Sequence, residues 1–180
     1  GELWGWFDAG RLVSLCYSGA NLAPVAATPD AVRAFADRAR RAGRRCSSLV
    51  GPADQVMAMW ELLEPSWGPA REVRPRQPLL VTESASLVPA DPLVRRVRED
   101  ELDVLMPACI AMFTEEVGVS PVRSDGGRMY RARVAELVRA GRAFARIEGG
   151  EVVFKAELGA VSPRACQVQG VWVTPSRRGE

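Results

Sequence analysis

The sequence predicts an α+β fold in two parts. A mixed sheet flanked by helices spans residues 93–180, and a smaller α/β domain spans residues 1–83. Three observations carry this reading. The apolar spacing switches along the chain between a period of 2 and a period near 3.6. The second half runs strand, helix, helix and then an antiparallel meander. Between the halves, six prolines from Pro65 to Pro92 break all periodicity, and residues 84–92 read as the linker itself.

In the first half, Leu3 to Phe7 and Arg11 to Tyr17 are β-favouring runs joined by Asp8-Ala9-Gly10, a hairpin with glycine where positive φ is needed. A third strand follows at Asn21 to Ala27. Thr28-Pro29-Asp30 then opens a helix as N-cap, N1 and first-turn acid, and Gly43 stops it. Val32, Phe35, Ala36 and Ala39 form its apolar stripe. A short strand is expected at Arg45 to Val50. Pro52-Ala53-Asp54 starts a second helix, buried through Val56, Met59, Trp60 and Leu63 and ended by Pro65. Leu79 to Thr82 reads as one more strand.

The second half restarts with a strand at Leu93 to Arg98 and a capping-box-like Asp100-Glu101-Leu102-Asp103. The following helix buries Leu102, Leu105, Met106, Cys109, Ile110 and Phe113. Pro107 inside it predicts a kink or a break, and Gly118 closes it. A helix from about Gly127 to Ala140 turns Tyr130, Val134, Leu137 and Val138 inward. Strands at Arg142 to Glu148, Glu151 to Val161 and Ala165 to Thr174 complete the meander, the first two joined by Gly149-Gly150. Phe7 to Val13 can be laid against Ile147 to Val153. A repeat and a chance match between common hairpins both remain open.

Composition narrows function mainly by exclusion. The 180 residues are 47% hydrophobic and 26% charged, ordinary for a chain with a real core. Net charge is +2, from 24 basic and 22 acidic residues that are interspersed, which argues against a nucleic-acid partner. Arg38, Arg40, Arg41, Arg44 and Arg45 gather at a predicted helix end, where cations suit the dipole. Every basic residue is arginine except Lys155. No run approaches the ~20 apolar residues of a membrane span and no leader pattern opens the chain, so a cytoplasmic protein without membrane partner is expected. The first residue, Gly1, and the last, Glu180, are expected to lie inside a longer chain.

Cys16, Cys46, Cys109 and Cys166 lack metal or redox spacing and are expected as buried free thiols, with no metal. There is no histidine. Ser-His, Cys-His and His-metal chemistry is therefore excluded within this segment, leaving carboxylates, tyrosines, Lys155, thiols and backbone groups.

The last ten residues, Val171-Trp172-Val173-Thr174-Pro175-Ser176-Arg177-Arg178-Gly179-Glu180, join an apolar strand to a turn rich in N–H groups. Such a turn at a helix N-terminus suits an anion. Here the sequence resembles the GNAT superfamily of N-acetyltransferases, whose fourth strand ends in a loop Q/R-x-x-G-x-G/A that binds the cofactor pyrophosphate. Ser176 to Glu180 fill five places of that pattern, with Ser176 where Gln or Arg is usual. The resemblance covers about Pro92 to Glu180 and implies a GNAT-like sheet truncated after its fourth strand. The first domain then resembles the extra domain of some actinobacterial members, and if the repeat is real it is a degenerate GNAT-like half.

The resemblance implies acetyl-CoA as co-substrate, held by Val171, Trp172, Val173, Ser176, Arg177, Arg178, Gly179 and Glu180. The Val173 N–H would polarise the thioester carbonyl. A base six residues earlier falls on Gln167, which cannot serve. Glu157 is the nearest substitute, placed by alternation on the same face as Val153 and Lys155; a salt bridge to Lys155 or an arginine is the competing role. Glu115 and Glu116 would hold a cationic acceptor, either a small-molecule or a protein amine. The general acid, a tyrosine near the chain's end, lies outside this sequence. Transfer of an acetyl group to a primary amine is the expected activity. A non-catalytic CoA-sensing or interaction module and a longer-chain acyltransferase are the rivals, and a homodimer is left open.

Overall fold

A computed structural model describes residues 1–123 and 126–179. The chain divides into two compact units, Gly1–Thr82 and Glu83–Glu180. It is mixed α+β, with two four-stranded sheets and four α-helices among the described residues. No described helix is long and apolar enough to cross a membrane.

The N-terminal unit is a meander of β1 (Glu2–Asp8), β2 (Arg11–Ser18) and β3 (Asn21–Val25), followed by α1 (Pro29–Ala42), β4 (Ser48–Leu49) and α2 (Ala53–Trp67). The order in its sheet is β1-β2-β3-β4, with β4 parallel to β3 over two residue pairs only. Thr28 caps α1 by accepting the Ala31 N–H at 3.3 Å, and Gly43 ends the helix with φ +73°. Both helices pack on the sheet face that carries Trp4, Cys16 and Leu22, and Phe35, Met59 and Leu63 fill the core between. The other face presents Leu3, Phe7, Leu12, Tyr17 and Val25 to solvent. Pro65 does not end α2. Its missing N–H forfeits one bond to the preceding turn, while Gly68 still donates to Glu64 O and carries the last turn on to Trp67.

From Pro69 to Pro92 no strand or helix forms. The expected strand at Leu79 to Thr82 is absent: Leu79, Leu80 and Val81 lie exposed with no neighbouring strand to take their backbone groups.

The C-terminal unit holds β5 (Arg95–Arg96), a 3₁₀ turn at Glu99–Glu101, α3 (Leu102–Val117), α4 (Arg128–Arg139), β6 (Ala143–Glu148), β7 (Glu151–Val161), β8 (Cys166–Val173) and a final 3₁₀ turn at Pro175–Arg177. Its sheet runs β5-β6-β7-β8 with every pair antiparallel, so among the described residues β8 is an edge. Leu105, Cys109, Val134 and Leu137 from the helices pack on Ala143, Ala145 and Val152 of the sheet. Helix α3 passes through Pro107 unbroken. Met112 rather than Phe113 is the buried residue near its end, where Phe113 meets Tyr130 edge-on at 5.3 Å. Gly118 ends α3 in the left-handed region at φ +74°. The short entry strand is tied to α3 by Glu101, whose carboxylate takes two bonds from Arg95 (2.7 and 2.8 Å) and the Arg98 N–H (2.9 Å). The capping interaction thus runs from Glu101 back to Arg98, not through Asp100 to Asp103.

The two meanders match in detail. Each first hairpin turns through two residues of positive φ, Ala9 and Gly10 in one and Gly149 and Gly150 in the other. Each then carries one extra residue in the second strand, Val13 and Val153. Each third strand is followed by Thr-Pro, at Thr28-Pro29 and Thr174-Pro175. The helices cover opposite faces, however. At aligned positions Leu12 is exposed and Val152 buried.

Arg95, more than any other cause, holds the Glu101 carboxyl well below its ordinary value of 4.5, at about 2. The stability Glu101 contributes is therefore complete above pH 4.5 and lost as pH falls towards 2. Urea midpoints of the C-terminal unit should fall over that window, and Glu101→Gln should flatten the fall. An unchanged slope in the variant would contradict the role given to this ion pair.

Candidate functional site

The open edge of β8 is shaped by one irregularity. Glu157 lies opposite Gln169 and Lys155 opposite Trp172, so two steps on β7 meet three on β8. The surplus falls at Gly170, whose φ is +57°. Thr174 donates to Val153 O at 2.9 Å, which makes that pair and, by antiparallel alternation, Trp172 with Lys155 the hydrogen-bonded ones. Val173, between them, faces its N–H and C=O away from β7, towards the open edge. Its carbonyl accepts from Arg178 Nε at 3.0 Å.

Beneath the bulge lies a buried polar cluster. Lys155 is fully buried and Glu157 is 6% exposed. Lys155 Nζ is 2.7 Å from Glu157 Oε1 and 2.8 Å from Gly170 O. Cys109 Sγ points at the same carboxylate oxygen from 3.7 Å, and Tyr130 donates to Cys109 O at 2.9 Å. Burial pushes the Cys109 thiol up to about 12; Lys155 pulls it down and Glu157 pushes it up. A thiol so held stays protonated at neutral pH and is not a nucleophile. Burial likewise raises the Tyr130 hydroxyl.

Glu157 does not share a face with Val153, because the β6–β7 bulge inserts Val153 and turns it away; Val152 joins Lys155 and Glu157 on the helix side. Of the two roles considered for Glu157, the geometry supplies the salt bridge to Lys155. Glu115 is already held, by both guanidinium nitrogens of Arg178 (2.9 and 2.7 Å) and by Trp172 Nε1 (3.3 Å). Those bonds, Arg178's first, keep its carboxyl below the usual range. Glu116 is exposed, as is Gln167.

The turn after β8 spends part of its donor set internally. Arg177 N–H goes to Thr174 O at 2.8 Å and Arg178 N–H to Pro175 O at 3.4 Å. The N–H groups of Ser176 and Gly179 make no hydrogen bond among the described residues. Gly179 has φ +86° and open space where a Cβ would stand. Val171 is exposed and Trp172 half-buried against the core. Glu180 lies outside the described residues.

On the sheet face away from the helices, a cavity of about 500 Å³ is floored by Val153, Phe154 and Val173 and rimmed by Arg146, Arg177 and Asp91. No cluster of metal-ligating side chains occurs among the described residues. Cys16, Cys46 and Cys109 are buried free thiols, but Cys166 is exposed at the start of β8. Sequence reasoning missed the bulge and the bond from Lys155 to Gly170. Two signals pointed there: one lysine in a chain that otherwise uses arginine, and a glycine inside a β-run.

Residues 1–105 match a family described as a domain of unknown function, DUF4081. The match covers the whole N-terminal unit and continues into α3, stopping short of the meander that holds Lys155 and Val173. No curated protein and no solved structure matches the chain.

Glu157→Gln should leave Lys155 buried without its charge partner, at a cost of roughly 3–5 kcal/mol. Replacing both residues, Lys155→Met with Glu157→Leu, should cost clearly less. Urea denaturation of the three proteins checks this, and a Glu157→Gln protein as stable as wild type would exclude a buried ion pair.

Proposed function

This chain belongs to the DUF4081 family through its first 105 residues, and we propose that its C-terminal unit is an acetyl-CoA-dependent N-acetyltransferase of GNAT fold. The outward N–H of Val173, beyond the bulge at Gly170 and just before the turn at Pro175–Gly179, carries the reading. An extended, amide-bearing arm can pair along such an edge, and a fixed N–H there stabilises charge that develops on a carbonyl oxygen. In the transfer, the neutral amine nitrogen attacks the thioester carbonyl carbon and the carbon–sulfur bond breaks. CoA leaves as its thiol, taking up the proton lost by the amine. For the arm to pair at Val173, Arg178 must release the Val173 carbonyl, and it is already anchored to Glu115.

The N-terminal unit fits a degenerate half of the same kind, as its matching turn, bulge and Thr-Pro suggest. At Ala27, the residue before Thr28, the N–H is taken from within by Gln55 Oε1 at 2.9 Å. Thr28 caps the following helix with its own side chain, and Asp30 places a carboxylate where a phosphate would need to approach. One cofactor per chain is therefore expected, bound by the C-terminal unit.

One observation favours a second reading, a CoA-sensing module without catalysis. The only carboxylate under the β8 bulge among the described residues, Glu157, is committed to Lys155. Acetyl-CoA binding without transfer to any of a broad panel of amines would select it.

Gly179→Asn tests the cofactor site. Asparagine tolerates the left-handed backbone and nothing crowds its Cβ, so the fold should be unaffected. A side chain there would keep a phosphate from the backbone. Calorimetry on the intact protein should show one acetyl-CoA per chain, bound at least tenfold more weakly by the variant. Unchanged affinity would remove the phosphate site from this turn.

A further inference from the structure

We propose that Lys155 is a positioning residue: it holds the one-residue bulge at Gly170 and thereby turns the Val173 amide out of the sheet and onto the open edge of β8. The inference rests on the acetyltransferase reading for its consequence, but its structural half stands on the geometry alone.

Parity of the β-ladder is the core of it. From Gln169 opposite Glu157, an unbulged β8 would place Val171 opposite Lys155 and Val173 opposite Val153. The Val153 position is a hydrogen-bonded one, since Val153 O now accepts from Thr174. Val173 would then spend its N–H inside the ladder. The surplus residue at Gly170 shifts every later residue by one place, so that Thr174 takes the bond to Val153 and Val173 faces outward.

A bulge must be held, because its peptide groups lose ladder partners. Here the displaced Gly170 carbonyl accepts from Lys155 Nζ at 2.8 Å. Lys155 is in turn fixed by Glu157, which receives Cys109 from α3 on the same oxygen. Glycine is required at the bulge twice over. Its φ is +57°, and a Cβ would stand 3.1 Å from Lys155 Nζ and 3.2 Å from the Glu157 carboxylate. A lysine suits this role better than an arginine, since its compact ammonium can reach one carbonyl and one carboxylate without the width of a guanidinium. That accounts for a fully buried lysine in a chain whose other basic residues are all arginine.

The test compares wild type with the apolar pair Lys155→Met/Glu157→Leu, which removes the donor without stranding a buried charge. Amide hydrogen exchange resolved by NMR reads the register with no ligand present. In wild type, Trp172 and Thr174 should be protected and Val173 should exchange rapidly. In the double variant Val173 should become protected and Thr174 exposed. With acetyl-CoA, kcat should fall by about 10²-fold, because the thioester-facing N–H is lost. An unchanged exchange pattern in the variant would overturn the proposal, and so would a protected Val173 in wild type, which remains measurable if the variant fails to fold. A shifted pattern in a protein that binds no acetyl-CoA would uphold the role of Lys155 and remove the acetyltransferase reading alone.

Discussion

Hydrogen-bond alternation in an antiparallel ladder leaves each edge-strand residue two choices, towards the sheet or towards the open side. At β8 that choice is made by a single surplus residue. Because the side-chain period is two, the same slip also puts Trp172 on the helix side, where it packs against the core and reaches Glu115 on α3. The outward Val173 and the inward Trp172 both follow from the bulge at Gly170.

Holding that bulge requires polar groups inside an apolar layer. A buried pair is expensive unless each member is satisfied. Lys155 and Glu157 satisfy one another, and Gly170 O and the Cys109 thiol take up remaining capacity. Leu105, Val134, Ala143 and Ala145 belong to the buried apolar core of the same unit. The N-terminal unit solves a related problem differently. Its β2–β3 pairing has no register shift, and its third strand leads straight into a well-capped helix, with Gln55 closing the Ala27 N–H.

Most elements were legible in the sequence because local chemistry decides them. Thr28-Pro29, Gly43 and Gly118 mark helix ends by capping and positive φ, and Gly149-Gly150 marks a hairpin by the same freedom. Leu79 to Thr82 failed because β-propensity without a partner strand makes no strand. Pro65 was read too strictly, since a proline removes one bond and a helix with enough packing continues through it, as α3 also does past Pro107. The site was legible as residues but not as roles. Glu157 and Lys155 were placed on one face correctly, whereas Val153 was not, because a bulge breaks alternation and leaves no mark in a periodicity count. Glu115 could not be known to face Arg178, 63 residues away, before the sheet brought them together.

In the proposed transfer, the Val173 N–H meets the carbonyl of a bound acetyl thioester. A crystal structure of the intact protein with acetyl-CoA measures this directly. The thioester oxygen should lie at about 2.7–3.1 Å from Val173 N, with the pyrophosphate at the turn ending in Gly179. Acetyl-CoA bound away from β8, or a Val173 N–H donated to Val153 in the complex, would contradict it.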